Sequence, residues 1–263
     1  MMKPVTTVSL QKMKQAGQKI SMVTAYDYTM ARILDEAGVD MLLVGDSLAM
    51  VVQGNQTTIP ATLDEMIYHG KCVARGASRA MVVVDLPFPH GQLGPMETLK
   101  VSARILKETG CAAIKLEGGA EQAETIRVLV AAGIPVIAHV GLRPQSVHAI
   151  GGYKVQRHLE QIHQDASAAQ GAGAFCVLME CVAAELGAQI TDSLDVPTIG
   201  IGAGPSCDGQ VLVCTDLLGL TQGRVPRFVR KFGELGEGVR NAVTEYIEAV
   251  QDGTFPSESE SFR

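Results

Sequence analysis

The 263-residue sequence lacks any dense run of positive charge: 22 Lys and Arg stand against 28 Asp and Glu, and no window is strongly basic. Nucleic acid and anionic membrane are therefore not indicated as partners, and a small molecule is expected instead. No CxxC pair occurs among Cys72, Cys111, Cys176, Cys181, Cys207 and Cys214, which leaves neither a zinc-type spacing nor a disulfide framework. Several of these thiols lie in apolar runs, where a reduced cysteine packs as a small hydrophobe, so a cytoplasmic setting is expected. The first twenty residues hold no apolar h-region, and no run is long enough to span a bilayer. Walker A, HExxH and GxSxG motifs are absent, and "GAFCVLMEC" gives its cysteines no papain-like context. A hydrolase with a Ser or Cys nucleophile thus has little support.

What the sequence does have is 46% hydrophobic residues and 19% charged ones, enough for one large globular domain with an ample core. Short apolar runs recur along it: "SMVTAYD", "MLLVGDS", "MVVVDLPF", "CAAIKLEGG", "IPVIAHVGL", "FCVLMEC", "VPTIGIGAG" and "VLVCTDLLG". Between them lie helix-compatible stretches, among them "TMARILDEAG", "TLDEMIYHGKCVARG", "METLKVSARILKETG", "AEQAETIRVLVAAG" and "HQDASAAQGAG", several ending in a Gly suited to a helix C-cap. Strands that are continuously apolar rather than alternating are buried on both faces, as parallel strands under helices must be. Eight of them predict a (β/α)8 barrel, with a doubly wound open sheet as the competing arrangement because periodicity does not show closure. Residues 1–263 read as a single barrel domain with a short N-terminal extension, a helix over "GEGVRNAVTEYIEAVQDG" and a polar tail over about 253–263. In such a barrel "GIGAGPSCDG", which lacks the GxGxxG spacing, falls after strand seven, where a loop meets a phosphate or lets substrate approach the backbone.

The polar residues cluster at the C-terminal ends of these runs. Asp46 and Ser47 close the second, Asp85 the third, Lys115 and Glu117 the fourth, His139 the fifth and Glu180 the sixth. That face of a parallel barrel carries the chemistry, so residues distant in sequence converge there. Lys115 and Glu117, two apart, share one side of their strand. Two Asp, two Glu and one Lys in one mouth leave surplus negative charge that a divalent cation would relieve, and an all-oxygen set suits magnesium. Each residue also has a plainer reading. Asp46 and Ser47 are ordinary turn residues, and Asp85 shares that discount. Glu180 suits an ion pair, Lys115 could serve only to neutralise Glu117, and His139 could be a packed or hydrogen-bonded histidine rather than a substrate contact. Tyr26 and Asp27 are expected to start a helix, with Asp27 as its N-cap.

In order and approximate spacing, "VTAYDYTMARILDEAGVDMLLVGDSLAMVVQG", "DLPF", "IKLEGG", "HVGLRPQS", "GGYKVQ", "LMEC", "PTIGIGAG" and "DGQVLVCTDLLGL" resemble the ketopantoate hydroxymethyltransferase family over nearly the whole chain. The resemblance implies a (β/α)8 barrel of the phosphoenolpyruvate/pyruvate-binding type and the first committed step of pantothenate and coenzyme A synthesis. It also implies one Mg²⁺ per subunit, 5,10-methylenetetrahydrofolate as one-carbon donor and a cytoplasmic homodecamer. By motif it makes Asp46 and Asp85 metal-contacting residues that also meet the keto acid, and Glu117 a further metal-associated carboxylate. Ser47 and Lys115 become keto-acid contacts and Glu180 the proton acceptor. Three stretches depart from the family's pattern: Asn55-Gln56 before the Thr pair, Pro89 to Gln92 after "DLPF", and Ala183 after "ECV". These departures bear on loops and on the rim facing the folate. Two other readings stand beside the transferase: a folate-independent carbon–carbon lyase or mutase of the same barrel superfamily, and a metabolite-binding scaffold that has lost catalysis.

Overall fold

In the computed structural model, which describes residues 3–152, 159–223 and 225–262, each of the eight apolar runs contributes a strand. They are β1 (Ile20–Thr24), β2 (Met41–Val44), β3 (Met81–Asp85), β4 (Ala113–Glu117), β5 (Val136–Gly141), β6 (Cys176–Glu180), β7 (Thr198–Ile201) and β8 (Gly209–Leu212). Every position of β2, β3 and β4 is buried, which is what continuous apolar runs between an interior and a layer of helices require. All neighbours are parallel, and β8 returns to β1 with Ile20 opposite Gly209 and Met22 opposite Val211. The sheet is therefore a closed (β/α)8 barrel, not a doubly wound sheet. Gly209 makes that seam possible, since a Cβ there would stand 2.4 Å from the Ile20 carbonyl oxygen and 2.5 Å from Ile199 Cδ1.

Strand parity sorts the barrel interior into layers. Ile20, Met22, Met41, Leu43, Met81, Val83, Ala113, Ile137, Cys176, Leu178, Ile199 and Val211 form one buried apolar cluster, joined by Leu10 from the helix Thr7–Gln15. The next same-parity position on four strands is polar: Asp85 after Val83, Lys115 after Ala113, His139 after Ile137 and Glu180 after Leu178. Alternation of side chains across a strand thus aims these residues into the lumen, above the apolar layers. Glu117 continues the series on β4.

The helices start where the sequence supplies acceptors for their free N–H groups. Asp27 caps the helix Tyr28–Glu36, its Oδ1 accepting from Met30 N at 2.8 Å. Thr62 and Glu65 cap each other reciprocally at the head of Leu63–Gly76. Gly110, with φ 75°, ends Pro95–Thr109 in the left-handed cap expected of it. Several elements differ from expectation. The eighth run is strand only to Leu212 and becomes the short helix Cys214–Leu217, and the helices Thr7–Gln15, Leu48–Val51, Val147–Ile150 and Ala184–Ser193 were not anticipated. All six cysteines are free thiols. Of the "GGYKVQ" stretch, residues 153–156 lie outside the described residues, and among the described residues no helix is long and apolar enough to cross a membrane.

The described residues divide into two units, the barrel up to Val213 and a second unit from Cys214. The second contains the helices Cys214–Leu217 and Leu235–Gln251, with Arg230 stacked 4.9 Å over the Phe232 ring and Tyr246 edge-on to Phe255 at 5.5 Å. Residues 253–262 of the polar tail are exposed and carry a 3-10 turn at Glu258–Glu260, capped by Ser257.

Candidate active site

The C-terminal strand ends bring five of the sequence-nominated residues into one buried group. Strand register sets Asp85 beside Lys115 and Glu117 beside His139, while Glu180 lies opposite Gly141. Lys115 Nζ donates to Asp85 Oδ1 at 2.6 Å, and the Asp46 backbone N–H donates to Asp85 Oδ2 at 3.0 Å. Asp46 joins the group from the turn after β2. Gly45 occupies the inward position at that turn, and a Cβ there would lie 2.7 Å from Ser47 Oγ and 3.5 Å from Asp85 Oδ2. Its missing side chain is the space in which Ser47 and Asp85 sit. Ser47 Oγ lies 2.9 Å from the Tyr26 hydroxyl.

The group is short of positive charge. Asp46, Asp85 and Glu117 are buried, and Glu180 keeps 17% of its side chain exposed, with Lys115 the one ammonium among them. Burial, reinforced by Asp85, pushes the Asp46 carboxyl up to about 7. Burial also raises Glu117 well above the usual carboxylate range, with Asp46 adding to it. Glu180 is driven up to about 7 by burial, against the pull of Lys115. For Lys115 burial works towards the neutral amine, but Asp85, Asp46 and Glu117 overcome it and hold the ammonium above its ordinary value. His139 is pushed well below its ordinary value by burial and then by Lys115, so the ring is neutral.

His139 stands between two carboxylates, with Nε2 3.2 Å from Glu180 Oε2 and Nδ1 3.8 Å from Glu117 Oε1. Neither approach has hydrogen-bond geometry, and both ring nitrogens and Glu117 Oε1 are buried without a partner. Buried polar atoms are normally satisfied, so these three mark a place where bound groups complete the network. Among the described residues no three His, Cys, Asp or Glu side chains enclose an ion by themselves. Magnesium does not require such a cage: it keeps waters and is held by one or two carboxylates together with substrate oxygens. Asp46 and Asp85, both all-oxygen donors in a negative pocket, fit that pattern, with Glu117 next to them through Gln145.

Gln145 and Tyr26 are the polar residues of the site that sequence reasoning did not assign. Gln145 donates from Nε2 to Asp46 Oδ2 and to the Leu86 carbonyl, both at 2.8 Å, and its backbone N–H reaches Glu117 Oε2 at 3.1 Å. Tyr26 precedes the helix that Asp27 caps, as expected, but its hydroxyl also reaches Ser47. The stretches that depart from the family pattern lie in local turns and at the start of a helix. Asn55 Nδ2 donates to Gln53 Oε1 at 3.0 Å, His90 and Gln92 close turns onto Pro87 and Pro89, and Ala183 stands at the head of Ala184–Ser193 without a side-chain cap. A separate cleft of about 690 Å³, lined by Glu160, His163, Gln164 and Gln189, lies on the helices Leu159–Gly171 and Ala184–Ser193 and contains none of the strand-end residues.

The sequence pattern of a family described as ketopantoate hydroxymethyltransferase matches residues 4–258. A 3-methyl-2-oxobutanoate hydroxymethyltransferase of Rhodopirellula baltica is 57% identical over 258 residues, covering 98% of this chain and 96% of that protein. Another, from Syntrophus aciditrophicus, is 51% identical over 262 residues, covering 98% and 96%. Among solved structures, a phosphoenolpyruvate phosphomutase from Streptomyces platensis subsp. rosaceus superposes with a TM-score of 0.64 at 16% identity, covering 94% of this chain and 88% of that one. A 2,3-dimethylmalate lyase of the PEP mutase/isocitrate lyase superfamily gives 0.62 at 20% identity, covering 97% and 91%. At such identities the likeness to the solved structures is one of fold.

Proposed function

Since the chain belongs to the ketopantoate hydroxymethyltransferase family and is a transferase of pantothenate synthesis acting on 3-methyl-2-oxobutanoate, we propose that Asp46 and Asp85 hold a magnesium ion, Lys115 and Ser47 bind the keto acid, and Glu180 takes its C3 proton. The observation that carries this reading is the charge of the lumen: four carboxylates against one ammonium, with Glu180 brought up to about 7 at the edge of the group.

When bound, magnesium supplies electrophilic polarisation of the keto group, which makes the hydrogen at C3 more acidic. The chain's residues do the rest. Lys115, kept charged by the carboxylates around it, neutralises the carboxylate of the keto acid, and Ser47, oriented by Tyr26, adds a hydrogen bond. Glu117 completes the negative wall beside Asp46. The C3–H bond breaks as Glu180 accepts the proton. The electron pair left behind forms the new C–C bond to the one-carbon unit of 5,10-methylenetetrahydrofolate, the proposed co-substrate. Overall both C–N bonds to that carbon break, water supplies the hydroxyl oxygen, and tetrahydrofolate leaves with one proton from water and the one taken from C3 on its two nitrogens. A carboxyl near 7 is matched to this work, because about half of it is ionised at neutral pH and it is more basic than an ordinary glutamate. Neutral His139 lies against Glu180 without adding charge and remains a proposed keto-acid contact. Family resemblance supplies two further proposals, a homodecameric assembly and a cytoplasmic location.

The test separates proton removal from transfer. Wild-type enzyme with Mg²⁺ and 3-methyl-2-oxobutanoate in D2O, without folate, should exchange the C3 hydrogen, followed by proton NMR. Glu180→Gln keeps the shape but accepts no proton, so exchange and transfer should fall together by about a hundredfold to ten-thousandfold. Exchange at the wild-type rate in Glu180→Gln would move the base elsewhere, with His139 the next residue to substitute.

A further inference from the structure

Gln145 sits on the loop that leaves β5, and its neighbours fix its direction. Arg143 is extended, with φ −117° and ψ 103°, as a residue before proline must be, and Pro144 opens the 3-10 turn Pro144–Ser146. That turn folds Gln145 back over the barrel, where it is 6% exposed. Its backbone N–H donates to Glu117 Oε2, and the two hydrogens of Nε2 go to Asp46 Oδ2 and the Leu86 carbonyl oxygen. A flipped amide would set its own oxygen against a carboxylate and a carbonyl, two acceptors, so the orientation is determined by chemistry. One residue thus ties together the chain following β2, the residue after Asp85 on β3 and the last residue of β4.

We propose that Gln145 is the positioning residue of the cation and keto-acid site: by engaging Asp46 Oδ2 it presents the other oxygen, Oδ1, to the bound ion and substrate. This rests on the reading of Asp46 as a metal-holding carboxylate. Three features support a positioning role over simple burial of an amide. Gln145 contacts Asp46 directly and touches Glu117 through its main chain. The loop that carries it is anchored by Arg143, whose guanidinium pairs with Glu121 after β4. A carboxylate gripped by one oxygen has a fixed plane, whereas one facing only Lys115 and Asp85 could turn, and orientation of a ligand by its outer partner strongly affects metal affinity.

The decisive measurement is Mn²⁺ binding to the resting enzyme by calorimetry and electron paramagnetic resonance, with saturating 3-methyl-2-oxobutanoate and no folate, alongside thermal melting and steady-state kinetics. Gln145→Met removes both side-chain donors and keeps the backbone N–H. Gln145→Leu likewise carries no side-chain donor and serves equally should the Met variant fail to fold. Either folded variant should bind Mn²⁺ on the order of tenfold to a hundredfold more weakly, with the KM for the keto acid rising more than kcat falls. A variant that merely lost buried hydrogen bonds would melt earlier with its Mn²⁺ affinity intact, and a Kd within about twofold of wild type would overturn the proposal. Failure of the wild type itself to bind Mn²⁺ would overturn the metal reading as well, which distinguishes the two failures.

Discussion

A carboxyl that takes a proton from carbon near neutral pH must be more basic than a surface glutamate, and Glu180 acquires that property from the end of an apolar strand. Its pH dependence follows. The proposed base works only when ionised, so C3 exchange should rise with pH through the titration of Glu180, whose carboxyl burial raises to about 7, and level off above it. A rate independent of pH between about 5.5 and 8 would dissociate Glu180 from proton transfer. Glu180, Asp46, Asp85, Lys115 and Glu117 were legible in the sequence because a charge directly after an apolar run stands out. Gln145 was not, because the Asp46 carboxylate it serves is 99 residues away, and an amide among loop residues carries no sign of that contact. Gly45 escaped notice for a related reason, since its contribution is a side chain it does not have.

At the scale of elements, the barrel depends on a seam that no residue marks by its chemistry. Gly209→Ala would drive a Cβ to 2.4 Å from the Ile20 carbonyl, against backbone that cannot swing aside. Overpacking of this kind typically costs about 1–3 kcal/mol, so chemical denaturation should show a loss of that order, and an unchanged midpoint would place the stress on closure elsewhere. The strands themselves were readable, because apolar runs of four to six residues bounded by turns look alike wherever they occur. The helix Thr7–Gln15 was not, since Leu10 is its one fully buried side chain and it has no stripe to detect. In "VLVCTDLLG" the apolar character continues unbroken from strand into helix, and periodicity over so short a run does not separate the two.

For the molecule as a whole, the lumen's surplus of carboxylates sets a proton balance between folded and unfolded chains. Asp46, Glu117 and Glu180 are all raised in the folded state, so between their unfolded values near 4 and about 7 the native protein retains protons that the unfolded chain has released. Stability contributed by a raised carboxyl is complete below the unfolded value and is lost as pH climbs. His139, kept neutral, acts in the opposite sense near 6.5, one group against three. The metal-free protein should therefore melt at progressively lower temperature as pH rises from about 5 to about 8. Mg²⁺ should return more of the melting temperature at the upper end of that range than at the lower, because only there are the carboxylates ionised to receive it. A metal-free melting temperature that rises with pH would mean the lumen is better hydrated than its burial implies. If it falls as expected, the barrel mouth behaves as a proton store that exchanges its content for a divalent cation, and filling the site with Mg²⁺ should release protons that a weakly buffered titration can count.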